Sequence, residues 1–167
     1  MAVVQFHHVS LCVRDLARSQ RFYRDLLGCR QVADLSFAGE ASSAALGLPA
    51  GELRSVLLER DGMRLELIAF TVASEAAGHV PPAPNRPGLS HLTFAVDDLR
   101  STLHSLRDRG VEVVDATHVE HGGGVATCLV RDPEGIPVLL LQQPAGVLTP
   151  YAAREGSDPS GDDSSPR

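Results

Sequence analysis

Lysine and tryptophan are missing from this chain of 167 residues, and aromatic side chains make up only 4% of it. Without a lysine amine, the chain cannot form a Schiff base with a substrate, hold pyridoxal phosphate or build a Walker phosphate loop. The few aromatic rings also leave little surface on which a ligand could stack. These absences exclude three classes of mechanism before any motif is considered.

Long apolar runs and an excess of positive charge are absent too. The 15 basic residues, all arginine, face 21 acidic ones, which gives a formal net charge of −6. No basic stripe is present to neutralise phosphates, so we expect no binding to nucleic acid. The apolar runs are too short for a signal peptide or a spanning helix, and we expect a cytoplasmic protein with no membrane partner.

Cysteine is rare and shows no paired spacing. Cys12, Cys29 and Cys128 are odd in number and contain no CxxC motif. This pattern favours a reducing compartment and neutral, buried thiols over a disulfide framework.

The composition divides the chain into two halves and a tail. With 43% hydrophobic residues, the chain is long enough for one domain with a real core. The predicted layout is a single domain at 1–146, with modules at about 5–70 and 88–143 joined by a proline-rich linker at 71–87, and a C-terminal tail at 147–167. The tail has no large apolar side chain from Glu155 onward, which predicts disorder there.

The two halves repeat each other. The segment that starts at His8 reads HVSLCVRDL, and the segment that starts at His91 reads HLTFAVDDL. In each half an apolar pattern at helical spacing follows, which ends at Gly28 or Gly110. Each half therefore begins with a strand, a helix and a glycine that stops the helix.

Strand patterns fill the remainder of each half. The predicted strands are Leu53 to Arg60 and Met63 to Ile68 in the first half, and Gly124 to Arg131 and Ile136 to Leu141 in the second. Short turns containing Gly62 and Gly135 precede the last strand of each half, and Asp15 and Asp98 are positioned to cap the helices. The result is an α+β fold rather than a parallel α/β sheet.

Three polar residues are predicted to lie on the strand faces that point away from the helices. Period-two alternation places His8, Glu66 and His91 opposite their apolar neighbours, and so in the concavity of a curved sheet. Two imidazoles and a carboxylate in one pocket are a ligand set for Zn, Ni, Co, Mn or Fe(II). The alternatives are hydrogen-bonded core histidines and an ion pair of Glu66 with Arg54 or Arg64.

Four motifs together resemble the vicinal oxygen chelate superfamily, also called the glyoxalase, bleomycin-resistance and extradiol-dioxygenase superfamily. They are the doubled HxxxxVxDL pattern, the FYxxLLG helix end at 22–28, the GxxLEL strand at 62–67 and the DPEG turn at 132–135. The resemblance covers Gln5 to Gln143. It implies two βαβββ modules that form a cup-shaped, mostly antiparallel sheet with helices on the outside, a bound divalent metal, a small-molecule substrate and commonly a homodimer.

The resemblance also assigns metal-ligand positions and reveals one departure. The family takes its ligands from the first and last strand of each module, which correspond here to His8, Glu66, His91 and Leu139. Members with the full set have glutamate where this chain has Leu139, and leucine can neither ligate a metal nor carry a proton. Either the chain is a three-ligand metalloprotein with a different acid or base, or it has kept the cup and lost the chemistry.

Replacement groups for the missing carboxylate come from both halves. Glu52 precedes a first-module strand, and His121 precedes the Gly122–Gly124 run, which we interpret as a flexible edge or lid. Glu66 itself is the remaining catalytic candidate. For each replacement, the alternative is a solvated loop residue.

Three functions follow from these residues. The favoured one is a metal-dependent isomerase, epimerase or lyase that removes a proton next to a carbonyl of a small metabolite, such as a cyclitol ketone. The second is an Fe(II) extradiol-type dioxygenase, which would use the two histidines and one carboxylate. The third is a metal-free binding protein that sequesters a drug.

Overall fold

The described part of the chain folds into two open four-stranded sheets, each accompanied by a helix, in a computed structural model that describes residues 2–37, 46–48, 51–70 and 85–144. The elements run in the order β1 (Val9–Cys12), α1 (Leu16–Gln20) with a π-helical continuation (Arg21–Leu26), β2 (Arg30–Phe37), β3 (Leu53–Arg60), β4 (Met63–Phe70), β5 (Leu92–Val96), α2 (Leu99–Asp108), β6 (Val113–Gly122), β7 (Val125–Arg131) and β8 (Pro137–Gln142). The predicted α+β class is confirmed.

Both sheets have the same topology. The strand orders are β1-β4-β3-β2 and β5-β8-β7-β6, with one parallel pair, β1 with β4 or β5 with β8, in each sheet. The other neighbours pair antiparallel. The internal repeat seen in the sequence is therefore a repeat of strand pairing, with β1 and β5 at equivalent sheet edges.

The registers of the two parallel pairs match residue for residue. Ser10 lies opposite Glu66 in the first sheet, and Thr93 lies opposite Leu139 in the second. These pairs follow the offsets of 83 and 73 positions that relate the early and late motifs of the two halves. Because a slip by one residue would turn every side chain to the other face, the shared register gives both modules the same inward and outward positions.

The buried core receives the apolar face of each sheet. Leu67 of β4 and Leu140 of β8 are completely buried, and one cluster of contacting side chains includes both of them together with residues of both helices. Burial of a leucine side chain contributes about 1.5–3 kcal/mol each. Along each strand, the residues that alternate with these buried leucines lie on the opposite face of the sheet.

The helix ends are fixed by the predicted residues. The Asp15 side chain accepts a hydrogen bond from the Arg18 backbone N–H, and Asp98 caps α2 in the same way. At the C-terminal ends, Gly28 and Gly110 have φ angles of 71° and 76°, which favour glycine. The entry and exit of each helix thus follow from local sequence.

Three details differ from expectation or lie outside the description. Gly122–Gly124, predicted to be a flexible edge or lid, forms the tight turn of the hairpin that joins β6 to β7. Cys12 is exposed rather than buried, because it shares the outward face of β1. Most of the predicted linker at 71–87 and the tail from residue 145 lie outside the described residues.

Candidate metal and proton-transfer site

A polar cluster occupies the face of the first sheet that points away from the core. Glu66 lies in the middle of β4, opposite Ser10 of the neighbouring strand β1. Its chain neighbours Leu65 and Leu67 pack into the core on the other face, as the alternation along a strand requires. Glu66 therefore has the outward orientation expected from the sequence.

Both carboxylate oxygens of Glu66 accept a hydrogen bond from a serine. The Ser10 hydroxyl donates to Oε2 over 2.7 Å, and the Ser55 hydroxyl donates to Oε1 over 2.6 Å. Ser55 is only 1% exposed, so its hydroxyl needs a partner inside the protein. The two serines hold the carboxylate in one orientation from two adjacent strands.

His8 completes this cluster from the residue just before β1. Its Nε2 atom lies 3.1 Å from Oε2 of Glu66, and the two side chains are 32% and 18% exposed. The imidazole and the carboxylate are thus close enough to share one bound cation and still reachable from solvent.

A second imidazole, that of His7, contacts His8 on the side away from Glu66. The Nδ1 atoms of His7 and His8 are 2.6 Å apart, so one of them carries the hydrogen that the other accepts. Arg64 Nη1 lies 3.5 Å from His7 Nε2. Because His8 uses its Nδ1 in this contact, its Nε2 is the nitrogen that faces Glu66.

The environment keeps Glu66 ionised. Partial burial by itself raises the pKa of the carboxyl group, but the hydrogen bonds from Ser55 and Ser10 and the nearby His8 and His7 outweigh it. The net result is a pKa below the ordinary value for glutamate. At neutral pH the Glu66 carboxyl group is therefore ionised.

The predicted alternative for Glu66, an ion pair with arginine, is not found. Arg54 donates two hydrogen bonds to Asp34, at 3.2 and 2.8 Å, and Arg64 reaches His7 instead. Glu66 is therefore compensated by hydroxyl groups and imidazoles among the described residues.

The His8–Glu66 pair fits a divalent metal ion. Two donor atoms that bind one ion from about 2.1 Å each lie about 3–3.5 Å apart, which matches the separation of 3.1 Å between Nε2 and Oε2. Within residues 2–37, 46–48, 51–70 and 85–144, however, no group of three or more His, Cys, Asp or Glu side chains is arranged around one such position. The described part of one chain therefore brings together two potential ligands and not three.

His91, the third predicted ligand, lies apart from this pair. It is exposed just before β5, and its Nδ1 atom is 2.9 Å from the Ser90 hydroxyl. It occupies the same position in the second module that His8 occupies in the first. The structure brings His8 and Glu66 together and does not add His91 to them within the described part of one chain.

The second module has an apolar residue at the centre of the equivalent face. Leu139 stands opposite Thr93 of β5 and next to Leu129 of β7. Thr127, the counterpart of Ser55 by register, is 7% exposed, and its hydroxyl lies 2.9 Å from Nε2 of His121. An imidazole, rather than a carboxylate, is therefore the partner of the buried hydroxyl in this module.

The remaining predicted residue, Glu52, precedes β3 at an exposed position and belongs to no group of metal-ligating side chains in the described residues. His121 is also exposed, but its contact with Thr127 holds it against the face that carries Leu139. Of these two candidates, His121 has the more defined position.

Sequence reasoning missed the residues that hold Glu66. Ser55 follows Arg54 in a strand whose other residues from Leu53 to Leu58 are large and apolar, and such a small polar interruption is the signal that could have identified it. For Ser10 and His7, the sequence pattern indicated only which face of the strand each side chain occupies. Their roles emerge only when β1, β4 and β3 are placed side by side.

The described residues contain no helix long and apolar enough to cross a membrane.

Comparisons with known proteins agree on the fold and the family. A family model described as "Glyoxalase/Bleomycin resistance protein/Dioxygenase superfamily" matches residues 5–140. Among solved structures, a glyoxalase family protein from Bacillus cereus superposes with a TM-score of 0.75 and 22% identity, covering 85% of this chain and 95% of that protein.

Two curated relatives match over most of their length. The "Uncharacterized protein YaeR" of Escherichia coli is 27% identical over 143 residues, which cover 86% of this chain and 99% of the relative. A protein of Synechocystis named "Probable lactoylglutathione lyase" is 26% identical over 136 residues, or 81% of this chain and 92% of the relative.

Proposed function

The chain belongs to the glyoxalase/bleomycin resistance protein/dioxygenase superfamily, and from this premise we propose that it is a divalent-metal-dependent isomerase, epimerase or lyase that removes a proton next to a carbonyl of a small metabolite. The observation that carries the proposal is the Glu66 carboxylate, held by Ser10 and Ser55 at 3.1 Å from His8. At this separation the carboxylate and the imidazole form an ion pair when the imidazole is protonated, and they can bind one metal ion when it is not.

His8, Glu66 and His91 are the proposed ligands. A bound divalent ion would polarise the substrate carbonyl and stabilise the enediolate charge that develops when the neighbouring proton leaves. One relative is named as a probable lyase, and small 2-oxo compounds and cyclitol ketones are the substrate classes we propose for this chain.

A homodimer would complete the ligand set. One chain gathers His8 and Glu66 but not His91 in its described residues, and the strand edges next to these histidines, β1 and β5, each have only one sheet neighbour. We propose that two copies associate so that the face carrying Glu66 in the first module of one copy lies against the face carrying Leu139 in the second module of the other copy. His91 of the second copy then joins His8 and Glu66 of the first.

Glu66 is the wrong group to move the proton. Both of its oxygens accept hydrogen bonds, and its pKa lies below the ordinary value, so it is a weak base with little freedom to turn. We assign the proton transfer to His121, whose imidazole contacts the Thr127 hydroxyl. It lies on the face of the second module that has Leu139 at the position of Glu66. Glu52, at the start of β3, is the second candidate.

The test combines metal analysis with solvent isotope exchange. Protein purified without chelators is expected to contain a stoichiometric divalent metal, and in D₂O it is expected to catalyse deuterium incorporation next to the carbonyl of a compound from a panel of 2-oxo acids, hydroxyketones and cyclitol ketones. Glu66→Gln should lose the metal, and His121→Gln should keep the metal but lose the exchange.

The matched control is Glu59→Gln. Glu59 belongs to the same sheet, but its carboxylate pairs with Arg30 and lies outside the Glu66 cluster. This variant should retain both the metal and the exchange. Protein without metal that still binds small ligands would contradict the proposal in favour of a binding protein. Iron with substrate-dependent oxygen uptake would contradict it in favour of a dioxygenase.

A further inference from the structure

An arginine-lined cleft lies away from the Glu66 cluster. It has a volume of about 690 Å³ and runs between helix α1 and the turn that joins β7 to β8. Its five guanidinium groups belong to Arg14, Arg18, Arg21, Arg109 and Arg131. Because α1 packs its buried side against the core, this cleft lies on the helix side of the first sheet, whereas Glu66 lies on the other face.

Each of the four carboxyl groups that line the cleft already has a partner. Glu134 accepts from Arg14 at 2.6 Å, and Glu112 lies 3.2 Å from Arg131. The cleft carboxyl of Asp132 accepts from the Tyr23 hydroxyl at 2.8 Å, and Asp25 pairs with Arg24, which lies outside the cleft lining, at 2.6 Å.

Three arginines are left without such neutralisation. The guanidinium groups of Arg18, Arg21 and Arg109 make no hydrogen bond or ion pair with the described residues, although Arg21 acts on Asp25 through its charge at longer range. In a chain with a net charge of −6, three such groups around one concave surface form a local site of opposite sign. Positive charge collected in a cleft attracts and retains small anions.

The walls of the cleft add an apolar surface to this charge. Phe22, Leu26, Val111 and Pro133 line it together with the arginines. Arg21 and Phe22 belong to the π-helical stretch Arg21–Leu26, a conformation that is frequent at functional sites. A cleft of a few hundred Å³ with apolar walls and convergent charged groups has the usual character of a small-molecule site.

We propose that this cleft binds a small organic anion with two or more negatively charged oxygens, such as a phosphate ester or a polycarboxylate. Guanidinium groups match the geometry of phosphate and carboxylate with paired N–H donors. Three arginines accommodate more than one charged group, and Leu26 and Val111, which line the cleft and are partly exposed, contact the apolar part of the ligand. The site is independent of the metal chemistry assigned to Glu66.

The experiment measures binding of pyrophosphate, citrate and ADP to the full chain by calorimetry at low ionic strength. We expect at least one of these probes to bind, and the Arg18→Ala/Arg109→Ala double variant to bind it about 100-fold more weakly, at about tenfold for each arginine. Tighter binding of ADP than of pyrophosphate would support the role of the apolar wall. Tighter binding of citrate would identify carboxylates as the preferred group.

The matched control is the Arg30→Ala/Arg100→Ala double variant, which removes the same charge from outside the cleft lining. Equal weakening in both double variants would show general electrostatics and overturn the proposal, as would absence of binding to the native chain. Binding must also persist in Glu66→Gln, because its loss there would place the anion on the proposed metal. Since Arg18 and Arg109 are exposed, an unchanged unfolding midpoint is expected for the Arg18→Ala/Arg109→Ala variant.

Discussion

The two modules share a backbone plan and differ at the centre of their outward faces. In the first, Glu66 lies between Ser10 and Ser55, which donate to its two carboxylate oxygens. In the second, Leu139 takes the place of Glu66, and the hydroxyl residues at the equivalent register positions are Thr93 and Thr127. The strand order, the parallel pair and the helix caps are the same in both.

This difference shows that the fold does not depend on the carboxylate. The second module forms the same four-stranded sheet with leucine in the central position, so apolar alternation and turn glycines are sufficient to specify it. A carboxylate in a partly buried strand costs free energy unless it is hydrogen-bonded. In the first module the hydrogen bonds from Ser10 and Ser55 offset this cost, so the fold accommodates Glu66 without requiring it.

The largest expected effect comes from making the first module resemble the second. Glu66→Leu should lower the affinity for divalent metal by about 100-fold or more, because it removes a direct ligand. The free energy of unfolding should change by only about 1 kcal/mol, since leucine is accommodated at Leu139. Metal titration and urea unfolding measure the two quantities.

The reverse substitution sharpens the same comparison. Leu139→Glu places a carboxylate between Thr93 and Thr127, where it can accept from hydroxyl groups as Glu66 does. It should increase metal binding in the native chain and should partly restore it in Glu66→Leu. A large loss of stability with Glu66→Leu, with metal binding retained, would contradict the division between fold and chemistry.

The modules also differ in how they contact each other. Tyr23 of the π-helical stretch is completely buried and donates to Asp132 in the turn of the second module, whereas Glu59 of the first module pairs with Arg30 near the surface. Tyr23→Phe should lower the free energy of unfolding by about 1–3 kcal/mol, because it removes a donor from a buried carboxyl group. Combining it with Asp132→Asn in a double-mutant cycle isolates their interaction.

The pH dependence of Asp132→Asn provides a check on this contact. Burial raises the pKa of Asp132, against the effect of its hydrogen bonds from Tyr23 and two backbone N–H groups. The folded chain therefore holds this proton up to a higher pH than the unfolded chain does. The stability of the native chain relative to Asp132→Asn should fall as the pH rises from the ordinary carboxyl pKa through the raised one.

How far sequence could predict this molecule depends on the range of the interactions. The strands, the caps at Asp15 and Asp98 and the glycine stops are local signals, and the side of the strand that carries Glu66 follows from alternation with Leu65 and Leu67. The α+β class and the repeat were accessible for the same reason. These features need no knowledge of which strands become neighbours.

The site was less predictable because its contacts join distant segments. The Ser55–Glu66 bond depends on the β3–β4 register, and the Ser10–Glu66 bond depends on a parallel pair separated by 56 positions in sequence. The hairpin turn at Gly122–Gly124 was misinterpreted because β6 is exposed and irregular and has little apolar periodicity. The ligand role of His91 remains a prediction.

A moderate effect is expected where the hydroxyl partners are removed. Ser55→Ala should weaken metal binding by about tenfold, because it frees one oxygen of Glu66 to rotate, while Thr127→Ala should leave metal binding unchanged. Ser55→Ala should also raise the pKa of Glu66. The lowered native pKa stabilises the fold above the ordinary glutamate value and loses this effect as the pH falls, so the stability difference between the native chain and Ser55→Ala should shrink in acid.

The smallest effect tests a feature in which the modules agree. Asp15 and Asp98 each cap a helix by accepting from the backbone N–H three residues later, so Asp15→Ala and Asp98→Ala should each lower the free energy of unfolding by about 1 kcal/mol. Neither substitution touches the Glu66 cluster, and metal binding should stay constant. A cost confined to one of the two variants would mean that the modules do not share their folding determinants, and the contrast at Glu66 and Leu139 would then no longer isolate chemistry from fold.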